Sequence, residues 1–100
     1  MLYFTQIIFI KDNEEENFNL FESYVLPLLK QYNGSLLYRV RPEVDNVIKT
    51  TIGHPYELHL ITFPTKADFK AYKDDKERMR HMHLKDAAVE QALLIEGKLL

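Results

Sequence analysis

No cysteine occurs in this 100-residue sequence, and that absence removes disulfides, thiolate catalysis and cysteine-ligated metals together. It fits a reducing compartment, and cytoplasmic residence is the default expectation. Only three glycines are present, which leaves little room for flexible linkers and makes disorder a poor description. Basic residues never gather in more than short groups and the net charge is -2, so the electrostatic footprint of a nucleic-acid binder is missing. The opening run, Met1 to Ile10, carries no basic leader and is too short and too aromatic for a signal or a membrane span. No membrane role is expected, and the run reads as a strand.

What is present is the composition of an ordered domain: 46% hydrophobic, 12% aromatic and 28% charged. A chain of this size buries only roughly two-thirds of its unfolded surface, so residues 1–100 read as one domain with a thin core that dimerisation would reinforce.

The most informative stretch runs from His54 to Asp75. A strand, about Tyr56 to Phe63, meets Pro64, which cannot donate into a sheet. Thr65 is then placed to cap a helix, with Asp68 at box spacing in the first turn. That helix spans about Lys66 to Lys73, and Asp74 or Asp75 can cap a further one through Arg78, His81 and Lys85.

Upstream, Leu2 to Ile10 is the first strand. Asp12 or Asn13 can cap the helix that follows, with Glu14, Glu15 and Glu16 in its first turn. Phe18, Phe21, Val25, Leu28 and Tyr32 share one stripe, Pro27 predicts a kink, and Asn33-Gly34 predicts a left-handed stop. Ser35 to Arg41 is the second strand and Val89 to Glu96 the last. Residues 43–53, with Val44, Val47, Ile48 and Ile52, either extend a hairpin or form an arm onto a partner.

The order is βαββαβ, an α+β, ferredoxin-like antiparallel sheet with its helices on one face. Leu2, Phe4, Ile8 and Ile10 alternate with Tyr3, Ile7 and Phe9, so the first strand is apolar on both sides. The face without helices needs a cover, and a second copy of the chain packed sheet to sheet supplies it. A charged residue at Phe4 or Ile8 is then expected to break the dimer or unfold the chain.

Tyr24, Pro27-Leu28, Tyr32-Asn33-Gly34, Leu37-Tyr38-Arg39, Pro55 to Pro64, Phe69, Tyr72 and Glu96-Gly97 together resemble the dimeric α+β-barrel superfamily, which includes antibiotic-biosynthesis-monooxygenase-like proteins and related small families. The resemblance implies two ferredoxin-like chains pairing their sheets, with a partly polar cavity in each subunit. Its members range from cofactor-independent oxygenases and isomerases to haem-degrading enzymes and proteins without known activity. The chain lacks tryptophan, and with it the asparagine, histidine and tryptophan set of the haem-degrading members. It carries Tyr72 near the position where the oxygenases often have a histidine.

On the third strand the Glu57, His59, Ile61 and Phe63 face is the more polar and is assigned to the cavity, leaving Tyr56, Leu58, Leu60 and Thr62 for the helices. Arg39 and His59 are the candidate catalytic residues, the first as a fixed cation and the second as a base. Tyr72, Glu57 and His54 are candidate ligand contacts. Such a set would accept a small aromatic or enolisable compound for cofactor-independent oxidation or isomerisation. The same arginine, glutamate and histidine also read as a cross-strand or dimer-interface network in a non-catalytic binding or interaction protein.

No cofactor is called for, since nothing resembles a phosphate loop, nucleophile elbow or dinucleotide fingerprint. No metal site is expected either. His81 and His83, two apart on a helix, point about 200° from each other. Lys76, Arg78, Arg80 and Lys85 read as a solvated helix face.

Overall fold

A computed structural model describes residues 1–100. The apolar opening run forms β1 (Leu2–Ile10), and Asn13, left-handed at φ 66°, turns the chain into α1 (Glu15–Val25). Asn13 therefore makes the turn rather than the cap. Glu14 holds the N-cap position without a side-chain bond to the backbone, and its carboxylate accepts from Asn17 Nδ2 at 2.7 Å.

A 3₁₀ segment, Leu26–Tyr32, continues directly from α1 with Pro27 in its first turn. Pro27 lacks the N–H that would extend the α-helical ladder, so the expected kink takes the form of a tighter helix. The change of pitch buries Leu29 fully and leaves Leu28 half-buried. Asn33 (φ 62°) then provides the left-handed stop, and Gly34 N–H donates to Leu29 O at 2.9 Å.

β2 (Ser35–Val40) follows. Residues 43–53 hold one 3₁₀ turn, Val44–Asn46, and otherwise run outside the sheet, with Ile48 fully exposed at 100%. β3 (Glu57–Phe63) leads to α2 (Lys66–Lys73), where Thr65 Oγ1 accepts from Asp68 N–H at 3.1 Å as the local pattern requires. Asp75 Oδ1 accepts from Arg78 N–H at 2.8 Å and starts α3 (Lys76–Arg80). The single helix expected there is two short ones, since His81 breaks it before α4 (Met82–Ala88), and β4 (Val89–Gly97) closes the chain.

The strands lie in the order β2-β3-β1-β4, every neighbouring pair antiparallel. Phe4, facing Ile61 across β1 and β3, stacks on Phe69 of α2 at 4.1 Å, and Phe63 packs on Phe69 and Tyr72. Ile8 meets Phe18 of α1 and Ala88 of α4. The helices thus cover the face that carries Phe4, Ile8, Glu57, His59, Ile61 and Phe63.

Two expectations are corrected by this packing. Leu58 and Leu60 lie on the open face instead of under the helices, because Ile61 and Phe63 supply the apolar contact that α2 needs. Phe4 and Ile8 are helix-side core, 2% and 4% exposed, so charging either one tests folding and says nothing of assembly.

A Cβ at Gly34 would stand 2.6 Å from Phe63 Cε1 and 3.1 Å from Leu29 O. That ring is locked in the core and cannot swing aside. Gly34→Ala is expected to cost about 1–3 kcal/mol, measured by urea unfolding. A variant as stable as the parent would show that the Phe63 ring yields.

Candidate functional site

Between the sheet and the helices lies a cavity of about 200 Å³. β1 supplies Phe4, Gln6 and Ile8, β3 supplies His59, Ile61 and Phe63, α1 supplies Phe18, Phe21, Glu22 and Val25, and the later helices add Tyr72, Lys73, Arg78 and Lys85. Most of the lining is hydrophobic. Its polar groups are those of Gln6, Glu22, His59, Tyr72, Lys73, Arg78 and Lys85.

Glu57 and His59 are buried at 0% and 2% exposure, with Glu22 of α1 at 6%. His59 Nε2 donates to Glu57 Oε2 and stands 4.0 Å from Glu22 Oε2. Behind Glu57, Arg39 Nε donates to Oε2 at 3.0 Å and Arg41 Nε to Oε1 at 2.8 Å. The antiparallel register makes this possible, since Arg39 lies opposite His59 and therefore on the same face. Arg41 is steadied by Asn19 Oδ1, to which its Nη2 donates at 2.7 Å, and by the Tyr56 ring 4.9 Å away.

The two carboxyls are driven apart. Burial pushes Glu22 up to about 7, an effect that the charges of His59, Arg39 and Arg78 offset only in part. Burial would also raise Glu57, but hydrogen bonds from His59, Arg39 and Arg41 outweigh it and hold the group down at about 2. At neutral pH Glu57 is a fixed anion and Glu22 is close to its titration point. His59, held at Nε2 by Glu57, keeps Nδ1 buried and without a partner in the protein.

Glu22 makes stability depend on pH. The folded chain keeps its proton up to about 7, whereas the unfolded group releases it near 4.5. Its contribution is full below 4.5 and is lost as pH climbs through 7, on the order of 3 kcal/mol in all. The groups facing it are His59, Glu57, Arg39, Arg78, Tyr72 and Lys85. Urea unfolding at pH 5 and pH 8 is expected to show the decline, and Glu22→Gln to flatten it. A parent whose stability is level across that range would contradict the assignment.

Of the candidate residues, the structure brings Arg39, Glu57 and His59 into one chain of contacts, with only His59 on the cavity wall. Tyr72 is on that wall too, its hydroxyl donating to Val25 O at 3.0 Å and its ionisation pushed up to about 12 by burial. His54 lies elsewhere. Its Nε2 bonds Pro42 O at 2.8 Å in a shallow depression with Lys11 and Asp12.

Glu22 escaped the sequence reading, although its signal is visible: a carboxylate four residues after Phe18 and three before Val25, inside the apolar stripe. Arg78 and Lys85 are not part of a solvated face but reach the cavity. Glu22, Glu57 and His59 offer three ligand atoms within 4.8 Å of one another, as a cation would need. A cation there would have to displace Arg39 and His59 from Glu57. His81, stacked on Tyr24 at 3.8 Å, and His83, bonded to Arg80 O at 3.2 Å, are not part of that cluster.

Neither a family model nor a curated protein matches the sequence. Solved structures do. A protein of unknown function from Rhodopseudomonas palustris superposes with a TM-score of 0.84 at 17% identity, over 99% of this chain and 82% of that one. A dabb family protein with a ferredoxin-like fold from Mesorhizobium loti superposes with a TM-score of 0.71 at 17% identity, over 99% of this chain and 96% of that one.

The fold is ferredoxin-like. A third structure with that fold, from Jannaschia, is described as a dimeric protein of unknown function and matches with a TM-score of 0.72 at 14% identity, over 98% of each chain. The ferredoxin-like sheet, with helices on one face only, is what leaves room for a cavity on one side and an open apolar surface on the other. No helix is long and apolar enough to cross a membrane.

Proposed function

We propose that the cavity binds a small aromatic or enolisable compound and that Glu22 and His59 move a proton to or from it, the proton step of a cofactor-independent oxygenase or isomerase. The observation that carries this reading is the separation of two buried carboxyls around one imidazole. Glu22 is poised at about 7 as an exchanging group, and Glu57 is held at about 2 as the anion that fixes His59. Arg39 is a positioning residue, acting on His59 through Glu57.

Two copies of the chain pair their open sheet faces in this reading, which the exposed Tyr38, Leu93 and Ile95 support. The dimeric descriptions of the Bacteroides fragilis and Jannaschia structures support it as well. The cytoplasm is the proposed location.

Proton exchange tests the catalytic reading directly. In D₂O, with a panel of 1,3-diketones, phenols and quinols, the protein is expected to speed exchange of at least one compound. Glu22→Gln or His59→Ala is expected to lower that rate by about 10²- to 10⁴-fold. Oxygen uptake then separates oxygenase from isomerase. A rate unchanged in both variants, or none above background in the parent, would overturn the reading and favour non-catalytic binding. The closure of Arg39, Arg41 and His59 on Glu57 is the observation on that side.

A further inference from the structure

The cavity carries an imbalance of charge. Arg78, Lys73 and Lys85 line it, and none of the three takes part in an ion pair within the chain, although exposed lysines nearby do, Lys66 with Glu96 and Lys70 with Asp74. The one carboxyl in the lining is Glu22, which its burial holds partly neutral at physiological pH. Arg78 and Lys85 are half-buried and Lys73 is exposed at the rim. A half-buried cation is ordinarily paired, because an apolar wall does not replace the hydration it gives up. Here the positive groups outnumber the one carboxyl of the lining, and the carboxylates near Arg78 and Lys85, on Glu22, Asp75 and Asp86, close no ion pair with either.

Arg78 is also held in place. Its guanidinium lies 5.2 Å from the centre of the Tyr72 ring and 6.0 Å from that of Phe21, and Nη1 donates to Lys73 O at 3.3 Å. Its Nε is buried with no acceptor in the protein. Stacking of this kind fixes the plane of the fork and leaves its edges as donors. Lys85 stands close enough that burial first, and then the charge of Arg78, pull its ammonium below the ordinary lysine range.

We infer that the ligand is a small carboxylate with a flat apolar body, its carboxylate seated between Arg78 and Lys85 and its body among Phe4, Ile8, Phe18 and Phe21. This rests on the reading of the cavity as a ligand site, and it specifies the class of compound. A planar carboxylate matches the guanidinium edge two oxygens to two N–H groups. A phosphate, with three acceptor oxygens and more charge, would meet a mostly hydrophobic wall. The volume, about 200 Å³, lies below that of sites for drug-sized molecules and suits a single ring.

Benzoate and its neutral isostere benzamide separate charge from shape. By calorimetry or ligand-observed NMR, benzoate is expected to bind the parent protein about tenfold more tightly than benzamide, the size expected of a charge-assisted hydrogen bond. Arg78→Gln is expected to erase that preference, lowering benzoate binding far more than benzamide binding, and Arg78→Lys to restore part of it. Lys85→Gln reads the same preference at a smaller factor should Arg78→Gln not fold.

Equal binding of the two compounds, no benzoate binding at 10-fold millimolar excess, or a preference that survives both substitutions would overturn the inference. Failure here is distinct from failure of the catalytic reading. A neutral 1,3-diketone exchanged through Glu22 in a protein with no preference for benzoate leaves proton transfer standing and removes only the carboxylate.

Discussion

Glu57→Ala is expected to destabilise the chain by about 2–4 kcal/mol, the cost of leaving the buried His59 ring unpaired and removing the carboxylate that two half-exposed arginines share. Three donors, on Arg39, Arg41 and His59, share this one carboxylate. Without it the buried His59 ring has neither nitrogen satisfied, while Arg39 and Arg41, 35% and 48% exposed at their side chains, fall back on solvent. Surface pairs such as Lys70 with Asp74 stand in contrast, being solvated and worth little.

The same group sets the acid limb of stability. Its folded ionisation lies near 2 against 4.5 when unfolded, so its contribution is present above 4.5 and is lost as pH falls toward 2. Taken with Glu22, whose contribution runs the other way between 4.5 and about 7, this places the stability maximum of the parent in the mildly acidic range. Urea titrations at pH 3 and pH 7 check both parts. A Glu57→Ala protein within about 1 kcal/mol of the parent at pH 7 would mean that water reaches the network and solvates it.

Ile95→Lys is expected to abolish the proposed sheet-to-sheet dimer while leaving the subunit folded. Ile95 lies opposite Thr5 on the open face of the sheet and is 53% exposed in the single chain, beside Leu93 at 42%. The substitution disturbs nothing beneath the helices. In a two-fold interface it enters twice, burying two ammonium groups against an apolar surface, and a dissociation constant raised about a hundredfold or more follows from a cost near 3 kcal/mol. Sedimentation velocity with circular dichroism reads assembly and folding separately. A parent that sediments as a monomer at micromolar concentration, or a variant that stays dimeric, would sink the sheet-to-sheet model.

How legible the molecule was in its sequence depended on how local each signal is. Thr65 with Asp68 and Asn33 with Gly34 needed only their own neighbours, so both boundaries emerged where the pattern put them. Asn13 did not cap, because a left-handed asparagine is as compatible with its surroundings and the choice falls to how the chain must leave β1. The polar face of β3 is the cavity face, as its residues suggest, but it is also the face the helices cover, so Leu58 and Leu60 turn to the open side. The partners of Glu57 and His59 come from α1 and β2, and no alternation within seven residues encodes that.

The sequence alone determined the order of strands and helices, the antiparallel α+β architecture, the apolar character of both sides of β1, and the chemical types gathered on β2 and β3. These are consequences of periodicity, capping and composition, which act over a few residues. Only the tertiary structure decided that Glu22 faces His59, that Arg78 and Lys85 turn inward, that His54 lies apart, and that Glu57 is an anion while Glu22 is half-way to being one. Ionisation in a protein interior is set by what stands within a few ångströms. In this chain those neighbours come from positions as far apart as Glu22 and Arg78.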